Sequence, residues 1–473
     1  MHVAANLTVC ALVAFWVVWL CRWIKRRDPL IGTMVQLGLA LRLCGGLLLF
    51  GVSYLKLPIL QGLYLGDGFW DLAPDARGYY WAATIAAEEG LRTVGDWSAS
   101  PAFVKVLALW MRGVGISPAS AVLLNALSYL GIAAILVAPL GRDRSSNARR
   151  AVVLSLSAFT FSPGFLLFGT QALKDQFFSL LLAGICIAAW LGFRALKRSA
   201  ESRDISAGAL GAIATAAITY LIAGIRPYVA FLVVLAVAGV LAALTARRSL
   251  RQAPAYLLAA ALVVALLWGS FKAGAGAYYG YYETRLLALV GISAGGSAEP
   301  LGAIVAAREG FMKAGGATNV VRRIAHQEGA GWLRSAWEQI AQLGLGTAVL
   351  LVPISLLRWL SIVHFEGGRG LLLVTDIDTL FIDVTLIAVV LLLKRAWNPP
   401  RPNLQYALFT VVLCVVLAAL MAFVVTNYGS LFRLRLMVAA LIWLLPLAIV
   451  RSRSGEPQPS EPSAGAPVGT DRR

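Results

Sequence analysis

Charge is what this 473-residue chain has least of. Asp, Glu, Lys and Arg together make up 14% of it, where a soluble globular domain carries roughly 25%. Acidic residues are the scarcer sign, 23 against 41 basic, for a formal net charge of +18. Cysteine is also sparse. Cys10, Cys21, Cys44, Cys186 and Cys414 all fall inside apolar runs, and none has a neighbour at metal-ligand spacing. They read as small buried apolar residues, which excludes a secreted disulfide scaffold. No repeat of roughly 20–50 residues is visible, nor an inverted pair of broken apolar segments of the kind found in transporters. The shortage of charge excludes an ordinary cytosolic enzyme and a disordered chain.

What is present is apolar. Hydrophobic residues reach 59% and the mean hydropathy is +0.77. Runs of about 20 apolar residues, each enough to cross a bilayer as a helix, recur along the chain. They fall at 5–24, 32–55, 117–140, 151–169, 176–193, 206–224, 228–246, 254–271, 375–393, 405–426 and 434–450. The expected fold is therefore all-α: a polytopic transmembrane bundle of about eleven spans.

Alternate connections are basic. Arg22, Lys25, Arg26 and Arg27 follow the first span, and Arg142, Arg144, Arg149 and Arg150 the third. Arg194, Lys197, Arg198 and Arg203 follow the fifth, and Arg247, Arg248 and Arg251 the seventh. Lys394, Arg395 and Arg401 follow the ninth, and Arg451 and Arg453 the last. The positive-inside rule puts these segments in the cytoplasm, with the N-terminus outside and the C-terminus inside. Counting the tail, they carry +15 of the net +18, so the basic balance is a topology signal rather than a nucleic-acid footprint. The first span has no basic segment before it and runs into a basic cluster, so it reads as a retained span rather than a cleavable signal.

Two further features complete the organisation. Residues 340–374 contain an apolar stretch broken by Pro353 and followed by Arg358 and Trp359, expected to be re-entrant or interfacial. Residues 1–450 then form one transmembrane domain, and 451–473, rich in Ser, Pro, Gly and Glu, a disordered cytoplasmic tail.

This topology leaves two long outer loops, about 56–116 and 272–374, and long connections usually carry function. The first holds Asp67, Asp71 and Asp75 at four-residue intervals among Phe69, Trp70, Tyr79, Tyr80 and Trp81. A carboxylate at the water–lipid boundary can act as general base on a hydroxyl, and aromatics beside it suit a sugar. The same pattern also suits a solvated loop anchored at the interface. Lys174-Asp175 lies outside between spans four and five, where it either ends two helices or neutralises a phosphate. Arg226-Pro227-Tyr228 is an outer turn whose arginine, placed against the charge rule, needs a partner or an anionic ligand. Asn427, Arg433 and Arg435 precede the final span. The two arginines point in different directions on a helix, one free for a ligand and one for a structural carboxylate. Asp376, Asp378 and Asp383 are the candidate carboxylates, and Arg42, deep in span two, needs a carboxylate or buried carbonyls. Cations at headgroup level with a carboxylate nearby suit glycosyl transfer from a lipid-linked phosphate, where stabilising the departing phosphate is a large electrostatic term.

Four segments resemble the GT-C membrane glycosyltransferases, specifically the bacterial family 39 enzymes similar to protein mannosyltransferases. Pro74-Asp75-Ala76-Arg77-Gly78-Tyr79 resembles the first-outer-loop pattern of that family. Ser162-Pro163 followed by Lys174-Asp175 resembles the segment opening a long span. Arg226-Pro227-Tyr228 and Asn427-x-Gly429-x-x-x-Arg433-x-Arg435 resemble its later outer elements. The stretch from Val352-Pro353 to Trp359 resembles a weak form of its interfacial segment.

The resemblance implies a bacterial inner-membrane enzyme of envelope polysaccharide biosynthesis, with its active site outside and a polyprenyl-phosphate-linked sugar as donor. The acceptor would be a glycan, lipid or protein hydroxyl. Asp75 would be the base, supported by Tyr79. Lys174, Arg226, Tyr228, Asn427, Arg433 and Arg435 would contact the donor phosphate. Asp67 and Asp71 remain rival bases. No cofactor is firmly implied; if a divalent cation is used, Asp67, Asp71 and Asp75 are its oxygen ligands. One alternative is an O-antigen-type polymerase or ligase using Arg322, Arg323 or His326. Another is a transporter or lipid flippase, which needs polar groups at mid-membrane.

Overall fold

The computed structural model describes residues 2–94, 100–141, 146–202, 206–246, 253–275, 332–361, 369–396, 404–425 and 428–451. Among them the chain is helical nearly throughout. The helices before the first long loop are α1 (His2–Arg27) and α2 (Pro29–Tyr54). A small antiparallel hairpin follows, β1 (Tyr64–Gly66) and β2 (Phe69–Trp70). Then come α3 (Asp75–Glu89), α4 (Pro101–Val114), α5 (Pro118–Val137), α6 (Ser146–Phe161), α7 (Pro163–Gly169) and α8 (Asp175–Ser202). The second half has α9 (Ser206–Ala223), α10 (Pro227–Ala246), α11 (Ala253–Ala275), α12 (Trp332–Leu351) and α13 (Ile354–Trp359). It closes with α14 (Arg369–Ala396), α15 (Leu404–Val424) and α16 (Tyr428–Arg451).

Proline after a capping side chain sets several helix starts. Asp28 accepts a hydrogen bond from Ile31 N at 3.1 Å ahead of Pro29, and Ser117 and Ser162 play the same part ahead of Pro118 and Pro163. Proline suits the first helical position because its missing N–H would have no partner there.

Among the described residues, five helices are long and apolar enough to cross a bilayer: Ala4–Arg27, Pro29–Tyr54, Pro118–Val137, Asp175–Phe193 and Ser430–Ile449. Shorter apolar stretches, Leu210–Ala223, Pro227–Ala243, Ala260–Ser270 and Ala407–Ala422, fall at other expected spans. The bundle is built around α16, buried along most of its length. Peripheral helices show apolar side chains outward: Leu12, Phe15, Trp16 and Trp19 on α1, and Leu373, Ile377, Leu380, Val384 and Ile387 on α14. Such stripes are costly in water and are what hydrocarbon solvates.

One expectation needs correction. Residues 151–169 are not one straight span: α6 and α7 meet at 52° across Ser162. Pro163 has no N–H for the Phe159 carbonyl, so the helical ladder breaks there. Within the segment 56–116 the hairpin, α3 and α4 are folded. In 340–374, α12 is a 20-residue helix ended by Pro353. The short α13 then buries Ile354 and Leu357 and exposes Leu356, Arg358 and Trp359. Most of the second long loop, with Arg322, Arg323 and His326, and the tail 452–473 lie outside the described residues.

Candidate functional site at one end of the bundle

The C-terminal ends of α2, α7 and α9 and the N-terminal ends of α3, α8 and α16 bring the site together. The hairpin docks on α2, where Ser53 Oγ donates to Phe69 O at 2.8 Å and Trp70 Nε1 donates to Leu49 O at 3.1 Å. This fixes where α3 starts. Its alanine face (Ala76, Ala82, Ala83, Ala86 and Ala87) is buried, and Gly90, at φ +118°, ends it. Asp75 therefore opens α3, with Tyr79 one turn later.

The geometry is a chain of alternating charges. Asp75 Oδ2 accepts from Arg433 Nη1 at 2.6 Å. Arg433 Nε donates to Asp175 Oδ2 at 2.8 Å. Asp175 Oδ1 accepts from Arg226 Nη2 at 2.7 Å, and Arg226 Nη1 donates to Tyr228 Oη at 3.1 Å. Exposure grades along it. The Asp75 side chain is 58% exposed, Arg433 14% and Asp175 2%. The open end is thus a carboxylate and the closed end a carboxylate held between two guanidiniums.

Lys174 lies beside this chain. It is buried, its ammonium group donates to Ser100 Oγ, and Nζ sits 5.2 Å from the centre of the Tyr79 ring. Ser100 Oγ donates to Ile225 O at 3.2 Å, and Ala102 N donates to Gly224 O at 3.0 Å, so the start of α4 is tied to the turn bearing Arg226. Burial, and next the positive charge of Arg226, push the Lys174 ammonium well below the usual lysine range. Burial raises the Tyr79 phenol above its usual value. Its ring meets Phe103 edge-on at 5.5 Å.

Arg433 and Arg435 point apart, as their spacing requires. Arg435 donates to Thr379 Oγ1 at 3.0 Å and to Thr375 O at 2.6 Å. Of the carboxylates expected to serve it, Asp376 accepts from Ser355 N at 3.3 Å, and Asp378 is engaged with Ser162 and Gly164. Arg42 finds carbonyls: Nη2 donates to Phe159 O at 2.6 Å, and Nη1 donates to Gly38 O at 3.0 Å and Thr160 O at 3.4 Å.

Asp67 and Asp71 stand apart from this cluster. Asp67 sits in the hairpin turn at φ +56°, mostly exposed, with Arg77 at 3.8 Å. Asp71 is exposed. Neither joins Asp75 in a metal-binding arrangement, and among the described residues no three His, Cys, Asp or Glu side chains do. Asn427 lies outside the described residues.

Sequence reasoning named Asp175 only as half of a pair, yet it is the hub of the network. The available signal was an acid opening a helix on the side where two arginines needed partners. Ser100 carried no sequence signal. Compared with protein-family models, curated proteins and solved structures, the chain shows no match.

Proposed function

We propose that this chain is a membrane glycosyltransferase that moves a sugar from a polyprenyl-phosphate donor to an acceptor hydroxyl. In this reading it has about eleven spans, its N-terminus outside, its C-terminus in the cytoplasm and its active site outside a bacterial inner membrane. The observation that carries the reading is the convergence of Asp75, Arg433, Asp175, Arg226 and Lys174, from four separate parts of the chain, at one end of the bundle.

Each group then has a role. Arg433 holds Asp75 Oδ2, leaving Oδ1 to take the proton of the acceptor hydroxyl. The hydroxyl oxygen attacks the anomeric carbon as the bond to the phosphate oxygen breaks, with inversion. The polyprenyl phosphate leaves with the bonding pair, and Arg433, Arg226 and Lys174 stabilise its charge. A phosphate near Lys174 would restore the ammonium that burial disfavours. An apolar groove of about 640 Å³, lined by Ala216, Tyr220, Leu221, Ala265, Leu266 and Gly269 on α9 and α11, lies just before the Arg226 turn. It offers the isoprenoid chain a place.

The α6–α7 break is the feature that would suit a transporter, but Arg42 and Asp378 already occupy its two ends. The test is reconstitution in liposomes with polyprenyl-phosphate sugars. Release of polyprenyl phosphate that depends on an acceptor and on Asp75 supports the transferase. Movement of the intact donor between leaflets, unaffected by Asp75→Asn, contradicts it.

A further inference from the structure

Helix α7 is seven residues long, and where it ends decides where Lys174 and Asp175 stand. Residues 169–176 are all buried, so the loop between α7 and α8 cannot satisfy its backbone with bulk water. Each end of α7 is met instead by one polar side chain from a neighbouring helix. At its start, Asp378 on α14 accepts from Gly164 N at 3.0 Å through Oδ2, and from Ser162 Oγ at 2.6 Å through Oδ1. Ser162 Oγ in turn accepts from Phe165 N at 3.2 Å. At its end, Asn125 on α5 donates Nδ2 to Gly169 O at 3.1 Å and to Gln171 O at 2.6 Å. The fit at the start is close. A Cβ on Gly164 would stand 2.2 Å from Asp378 Oδ2 and 3.1 Å from Phe432 Cζ.

We infer that Asp378 and Asn125 are positioning residues: they clamp α7 between α14 and α5 and so fix the reach of Lys174 toward Ser100 and of Asp175 toward Arg226 and Arg433. Both carboxylate and amide are nearly fully buried. Neither bonds to a member of the Asp75–Arg226 chain, so each acts through α7 and the loop that follows it. The consequence for transfer rests on the function proposed above; the clamp does not.

The experiment uses the full chain in nanodiscs, with hydrogen exchange of the peptide 164–176 and the kcat and KM of polyprenyl phosphate release. Asp378→Ala and Asn125→Asp each remove one end of the clamp. Each is expected to speed exchange in that peptide at least ~10-fold without a matching change elsewhere. Each should also lower kcat roughly 10–100-fold, with the donor KM within a few-fold of wild type. Asp378→Asn keeps an acceptor for Ser162 and Gly164 and should recover most of the loss.

Gly164→Ala should resemble Asp378→Ala, because the new methyl must displace the carboxylate. The double variant should be no worse than Asp378→Ala alone, since a shared cause does not add. Wild-type exchange of 164–176 in both Asp378→Ala and Asn125→Asp overturns the clamp, as does an effect of Gly164→Ala that multiplies with that of Asp378→Ala. If Asp378→Ala does not fold, Asn125→Asp and Asp378→Asn decide by the same exchange measurement. A wild-type protein that releases no polyprenyl phosphate sinks the transferase reading, while exchange and the double variant still judge the clamp.

Discussion

The helix break and the candidate site both hold buried charge, and they hold it in opposite ways. At the break, Arg42 is met by the carbonyls of Gly38, Phe159 and Thr160, and Asp378 by a hydroxyl and a backbone N–H. At the site, Asp175 meets Arg226 and Arg433, and Arg433 reaches on to Asp75. Backbone partners cannot leave, so charge at the break serves as fixed caps on two helix ends, with the cation at a C-terminus and the anion at an N-terminus. Side-chain partners can exchange with a ligand, and the network loosens toward the exposed Asp75. The first arrangement suits structure and the second suits chemistry.

Substitutions should separate the two regions. Asp175→Ala is expected to do most damage, because it leaves Arg226 and Arg433 buried without their carboxylate. Breaking such a pair costs on the order of 3–5 kcal/mol, so both thermal stability in detergent and turnover should collapse. Asp75→Asn should lower turnover roughly 10²–10⁴-fold and leave the melting temperature unchanged, since that side chain is largely exposed. Arg42→Met should do the reverse. It orphans carbonyls at the end of α6 at a cost of about 1–3 kcal/mol, while the folded fraction turns over at the wild-type rate. Turnover lost at an unchanged melting temperature would move Arg42 into the site and blur the distinction.

Two pH effects sharpen it further. The Lys174 ammonium is depressed in the free protein, and a bound phosphate restores it, so binding takes up a proton. Affinity for polyprenyl phosphate should therefore weaken as pH rises through the range below the ordinary lysine value of about 10.4, by at most ~10-fold per unit. Lys174→Met should flatten the dependence. The smallest effect lies at the opposite end of the bundle, where Arg149 holds the Asp28 carboxyl below its usual range. That stability is present above the ordinary aspartate pKa and is lost as pH falls through the depressed one. Arg149 is half exposed, so acid titration of the melting temperature should show only a small Asp28→Asn difference.

Much of this was legible in the sequence because apolar runs and outward arginines are local signals. Lys174, Arg226 and Arg433 announced themselves as ionisable groups at the ends of apolar spans and Asp75 as a carboxylate among aromatics between two spans, and the structure places them together. The divergence of Arg433 and Arg435 follows from helical spacing alone. What stayed hidden depends on contacts distant along the chain. Asp175 became the hub only once α16 delivered Arg433 to it, 258 residues away. The break at Ser162 was signalled by Pro163 but submerged in a continuous apolar run. Asn125 sits mid-helix in α5 with no pattern around it, and only the buried carbonyls of Gly169 and Gln171 explain it.

The most direct measurement compares wild type, Asp75→Asn and Asp71→Asn for acceptor-dependent release of polyprenyl phosphate in liposomes, with protein amounts and melting temperatures matched. The account predicts that Asp71→Asn, an exposed residue outside the network, retains activity while Asp75→Asn loses it and the donor accumulates. Full activity in Asp75→Asn would contradict the assignment of the Asp75–Arg433–Asp175–Arg226 chain as the catalytic centre.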